Sequence, residues 1–96
     1  FDCSGYVCWV YNQNGYDVGR TTANGLWQKS QHISEAEAKP GDLVFFKGTY
    51  DTPGMSHTGI YLGNGMMVSA GDPIKYANIH SSYWEKYLAG FGRLSK

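Results

Sequence analysis

The chain has 96 residues, which bounds it to one small domain able to bury a modest core without metal or disulfide staples. Its 42% hydrophobic and 16% aromatic content excludes a disordered chain. Eight acidic and eight basic residues cancel with no dense run of either sign, which argues against a nucleic-acid partner, and no apolar stretch approaches the roughly 18 residues of a membrane span.

Phe1 opens the chain in place of Met and no signal-peptide pattern follows, so residues 1–96 read as a single domain excised from a longer protein. The first predicted element is a helix over Tyr6 to Asn12, carrying Val7, Val10 and Tyr11 at helical spacing, with Asp2 or Ser4 able to cap it. Asn14–Gly15 ends it. A second short helix is predicted over Thr22 to Lys29, anchored by Leu26 and Trp27, and Ser34 to Ala38 is helix-like but brief. Lys39–Pro40–Gly41–Asp42 is a turn, and there the pattern changes. Leu43 to Phe46 is an apolar run of strand length. His57 to Leu62 and Met66 to Ala70 flank Gly63–Asn64–Gly65 as a hairpin, closed by Gly71–Asp72–Pro73. Ile74 to Ala77 is a possible further strand. Ser82–Tyr83–Trp84–Glu85 fits a capping box opening a helix to Leu88, and Gly90 to Leu94 reads as a last strand. Helices first and an antiparallel sheet afterwards predict an α+β domain.

Cys3 and Cys8, if helical, stand roughly 8 Å apart at Cα, beyond the about 4.4–6.8 Å of a disulfide, so no bridge is expected between them. Cys3 sits in a polar setting where a helix begins, and the partial positive charge there favours the nucleophilic thiolate. Cys8, among Val7, Trp9 and Val10, reads as core. His57, at the start of a strand after the Gly48 to Ser56 loop, can reach a thiol at the start of a packed helix and act as its base, although a histidine so placed can also be merely exposed. His32 and His80 read as surface residues, and the three histidines show no zinc-binding spacing, so no metal ligand and no cofactor is expected. Trp9, Trp27, Trp84, Phe45, Phe46 and Phe91 fall at core-like spacing, with Trp27 also a candidate for lining a groove. Asp42 is most simply a turn residue.

Phe1–Asp2–Cys3–Ser4–Gly5–Tyr6–Val7, Arg20–Thr21, Lys39 to Phe46 and Ser56 to Gly65 together resemble, in order, the NlpC family of cell-wall cysteine peptidases. The resemblance implies a papain-like fold, with N-terminal helices packed on an antiparallel sheet, Cys3 as nucleophile and His57 as base. It implies cleavage of peptidoglycan stem peptides between D-γ-glutamate and the diamino acid (diaminopimelate or lysine). It also implies roles for Asp2 and Ser4 in holding the substrate's free amino end, beside their capping role. A secreted or wall-associated bacterial protein with additional domains is implied as well.

Two features depart from the family pattern. The segment that usually precedes the cysteine is missing, so the N-terminal part of the domain is expected to lie outside this chain. The third polar residue that orients the base, most often histidine, corresponds to Ser69. Pairing of Leu62 with Met66 across a three-residue turn puts Ser69 opposite Gly59 on the His57 face. A two-residue Asn64–Gly65 turn, pairing Gly63 with Met66, flips the strand and brings Asp72 opposite His57 instead. The first register is preferred, because it sets Val68 beside Ile60 and Leu62. Alternatives to the peptidase are a catalytically impaired peptidoglycan-binding module and a papain-like amidase or acyltransferase.

Overall fold

The structure, a computed structural model, describes residues 2–70 and 74–95. Helix α1 spans Cys3–Gln13 and α2 spans Ala23–Lys29, followed by strand β1 (Gln31–Ile33) and a 3-10 turn at Glu35–Glu37. Strands β2 (Leu43–Lys47), β3 (Met55–Gly63), β4 (Met66–Ser69) and β5 (Lys75–Asn78) come next, then helix α3 (Ser82–Tyr87) and strand β6 (Leu88–Arg93). The strands form one six-stranded sheet in the order β1-β6-β2-β3-β4-β5, and every neighbouring pair is antiparallel. This is the expected α+β class.

Local chemistry starts the helices where the chain supplies short oxygen side chains. Asp2 caps α1 by accepting from the Gly5 amide at 2.7 Å, and Thr22 caps α2 by accepting from Gly25. Helix α3 begins differently from expectation. Its N-cap is Ser81, with no side-chain cap bond, and Glu85 pairs with His80.

The sheet is covered on both faces, which is why all four residues of Leu43–Val44–Phe45–Phe46 are buried. Leu43 and Phe45 join Val7, Cys8, Leu26 and Ile60 under the first two helices. Val44 and Phe46 join Tyr61, Met67, Ile79 and Phe91 on the other side, where Trp84 and Tyr87 of α3 pack. Asp42 is buried in the turn before β2. It accepts from the Lys39 amide and takes both Nε and Nη2 of Arg93, which clips β6 to that turn. Burial works to raise its carboxyl, but Arg93 and the Lys39 amide more than offset this and hold it below the usual carboxylate range.

Two further sequence expectations are corrected, and one strand was not foreseen. Trp9 is half exposed, because Val7, Cys8 and Tyr11 take the sheet-facing side of α1. Strand β1 was not foreseen, since two of its three residues are exposed and its existence depends on pairing with β6. The hairpin combines the two registers considered. Gly63 pairs with Met66 around a two-residue turn, with Asn64 at φ 53 and Gly65 at φ 76, the left-handed pair that a tight hairpin requires. A bulge at Leu62 then restores the other register, so Tyr61 pairs with Met67 and Ile60 with Val68.

Phe45 is fully buried beneath α2, with the Trp27 ring edge-on at 5.1 Å. Phe45→Ala is expected to lower unfolding free energy by about 3–5 kcal/mol in urea titrations, since the sheet cannot collapse into the space.

Candidate active site

Cys3 is the first residue of α1 and is half buried. Packing of that helix on β3 brings the thiol against the Thr58 backbone amide, and the amides of Ser4 and of Cys3 itself also favour its ionised form. Burial nevertheless dominates and pushes the thiol up, with the Asp2 carboxylate adding to the effect. The helix start favours the thiolate, as the sequence suggests, and burial works against it. Cys8 is buried in the core, and neither cysteine forms a disulfide.

His57 is the third residue of β3 and half buried. Its ring lies 4.8 Å from Trp84 and 5.7 Å from Phe46. Burial lowers its pKa from 6.5 to about 4. Burial thus works in the same direction on both groups, favouring the neutral thiol at Cys3 and the neutral imidazole at His57.

Ser69 ends β4 and is buried on the same sheet face as His57. A side chain at Gly59 would come within 3.3 Å of the Ser69 Cβ and 2.8 Å of Met67 Sδ, so glycine keeps that stretch of the face open. Ser69 does not hydrogen-bond the buried Nε2 of His57, which has no partner among the described residues. Asp72, the alternative, lies outside the described residues.

Asp2 and Ser4 are drawn together by a residue whose role the sequence did not disclose. Arg20 donates from Nη2 to both Asp2 oxygens, at 2.8 and 2.9 Å, and from Nη1 to Ser4 Oγ at 3.2 Å. The Gly5 amide and then Arg20 hold the Asp2 carboxyl below the usual range, against some desolvation. Arg20 lies in one of the quoted motifs, and that position was the available signal.

Cys3, Ser4, Asn24, Tyr50, His57 and Ala70 line one cleft of about 560 Å³. One wall is the loop between β2 and β3. It is closed at its base by the Thr49 amide donating to Ser56 Oγ and clamped by the Met55 amide donating to Asn24 Oδ1. Trp27, a groove candidate, is instead packed against Phe45 and stacked on His32. His80 sits away from this cleft between Glu35 and Glu85. Chemically the cleft brings a thiol and an imidazole into one lining, with the backbone amides of Thr58, Ser4 and Cys3 favouring the ionised form of the thiol.

The sequence model of the NlpC/P60 family matches residues 1–93. The probable endopeptidase p60 of Listeria monocytogenes serovar 1/2a is 52% identical over 95 residues, which are 98% of this chain and 19% of that protein. The bifunctional muramidase/DL-endopeptidase CwlT of Bacillus subtilis strain 168 is 45% identical over 95 residues, again 98% of this chain and 29% of that protein. A solved structure from Staphylococcus aureus subsp. aureus Mu50, of a protein similar to lipoprotein in the NLP/P60 family, superposes with a TM-score of 0.94 at 40% identity. That superposition covers 100% of this chain and 32% of the other. The chain therefore spans less than a third of the length of these relatives.

Two outcomes follow from the electrostatics. Alkylation of Cys3 by iodoacetamide should keep accelerating from pH 7 into the alkaline range, and Cys8 should stay unmodified in the folded protein. A rate plateau reached by about pH 6 would reveal a preformed thiolate–imidazolium pair instead. Secondly, the unfolded chain protonates His57 near 6.5, whereas the folded one resists until about 4. The stability contributed by a neutral His57 is complete above about pH 6.5 and is lost as pH falls toward 4, by on the order of 2–3 kcal/mol. His80, whose pKa is raised by Glu35 and Glu85, acts with the opposite sign at the upper end of this window, adding stability below about 6.5 that fades as pH rises. Urea midpoints measured across the window should show the slope in the wild type and a flatter line in His57→Gln.

Proposed function

The chain belongs to the NlpC/P60 family, and we propose that it is a thiol-dependent peptidoglycan hydrolase that cuts stem peptides between D-γ-glutamate and the diamino acid. The observation that carries this reading is that Cys3 and His57 line one cleft with Ser4 and Asp2 at its edge. The names of the relatives, a probable endopeptidase and a DL-endopeptidase, agree with it.

In this mechanism the bound γ-glutamyl carbonyl lies over Cys3. His57 takes the thiol proton as sulfur attacks the carbonyl carbon, so the charge pair forms only during reaction. The developing oxyanion is held by backbone N–H groups, the Cys3 amide being the first candidate. Breaking the C–N bond passes the proton from the imidazolium to the leaving amine and leaves a thioester on Cys3. Water then attacks the thioester with His57 again as base, releasing the new carboxylate and the thiol. Asp2, kept ionised by the Gly5 amide and Arg20, presents its negative charge to the free amino end of the stem peptide, with Ser4 beside it. Ser69 lines the His57 face without bonding Nε2, so its contribution as a third residue is to shape and polarity.

The same reading makes the fold papain-like in its pairing of a helix-borne cysteine with a strand-borne histidine. It makes the whole protein secreted or wall-associated, with further domains outside this chain.

Incubation with purified muropeptides and mass spectrometry of the products tests the proposal. Cleavage at the γ-glutamyl bond is expected, and Cys3→Ala should reduce turnover by at least about 10³-fold with an unchanged Tm. Binding without cleavage would make the domain a peptidoglycan-binding module, and a cut at a different bond would make it an amidase. Wild-type turnover in Cys3→Ala would overturn the mechanism.

A further inference from the structure

The buried edge of the His57 ring has no polar anchor among the described residues. Nε2 is sealed from solvent and has no hydrogen-bond partner among the described residues, although a buried imidazole nitrogen ordinarily has one. The ring sits instead in an aromatic corner. Trp84 lies at 4.8 Å with the two planes 31° apart, Phe46 lies at 5.7 Å, and the Trp84 and Phe46 rings are 4.7 Å from each other. Phe46 is a fixed part of the sheet, directly opposite His57 in the ladder. Trp84 arrives separately on α3, a helix of six residues without a side-chain cap. That helix is tied down beside Trp84 by other means. Glu85 meets His80 Nδ1 at 2.5 Å, and His80 Nε2 meets Glu35 at 2.6 Å, linking α3 to the 3-10 turn ahead of β2. Tyr83 backs the indole edge-on at 4.9 Å.

We propose that Trp84 is the positioning residue for His57: by lying against the imidazole it fixes the ring plane that an acceptor on Nε2 would otherwise fix. The proposal rests on His57 being the base of the reaction above. An imidazole on a single strand residue is free to turn about its terminal torsion, whose energy wells are broad. A flat ring tilted 31° to it at 4.8 Å removes that freedom by contact, where the Ser69 hydroxyl does not bond Nε2. The same contact helps keep Nε2 dry, and burial is the cause of the low His57 titration point of about 4. During reaction, the indole face also attracts the imidazolium that forms.

The test compares Trp84→Phe, which keeps an aromatic face, with Trp84→Leu, which fills space without one. Turnover of a γ-D-glutamyl-diamino acid peptide and the NMR titration of His57 are both read. Trp84→Phe should keep kcat within about threefold, and Trp84→Leu should lower it by about tenfold or more with KM nearly unchanged. In Trp84→Leu the His57 titration point should move from about 4 toward 6.5. A folded leucine variant with wild-type kcat and an unmoved titration overturns the proposal, as does a loss that falls wholly on KM. Should the leucine variant not fold, Trp84→Met is read against the same outcomes. If the wild type itself cleaves nothing, the hydrolase reading fails, and the titration alone then decides whether Trp84 governs the imidazole.

Discussion

The face of α1 that carries Val7, Cys8 and Tyr11 is buried against the sheet, and side chains on one helix hold fixed positions relative to one another. Burying that face therefore fixes where Cys3 lies, at the helix start and against the Thr58 amide of β3. Neither Cys3 nor the Thr58 amide is positioned by the loop between them in sequence. Core packing does the aiming, and the cleft is a consequence of it. The capping bond from Gly5 to Asp2 then sets the last turn of geometry, and Arg20 draws Asp2 and Ser4 to the same edge.

A site built this way is drier than its sequence suggests. The helix start and three backbone amides favour a thiolate, yet desolvation outweighs them at Cys3, and at His57 desolvation lowers the pKa. Both shifts have the same sense, toward the uncharged forms.

Much of this was legible in the residues. The helices and the central strands follow from periodicity, and the Asp2 and Thr22 caps from side-chain chemistry beside the first turns. The burial of Cys8 follows from its apolar neighbours. What was not legible depended on partners distant in the chain. Strand β1 has an ordinary polar sequence and exists because β6 pairs with it. The bulge at Leu62 reconciles a turn that wants two residues with a core that wants Tyr61 opposite Met67, and neither demand is visible from the other. Glu85 looked like half of a capping box until His80 was available as a better partner. At the site, Trp84 resembled any core tryptophan, because its contact with His57 joins α3 to β3 across the sheet face.

Strand β6 lies between β1 and β2, in the interior of the sheet, although its residues follow all the other elements in sequence. Its glycines fit that slot closely: a side chain at Gly90 would meet Trp27 at 2.9 Å, and one at Gly92 would meet Ser30 Oγ at 2.3 Å. A ribosome delivers the chain in the opposite order to the one the sheet needs. Until residues 88–93 emerge, β1 has no neighbour, β2 has an open edge, and Phe91 is missing from the second core cluster. Such non-local pairing is slow to close. The pairing that completes the interior of the sheet therefore waits for the last strand to be made.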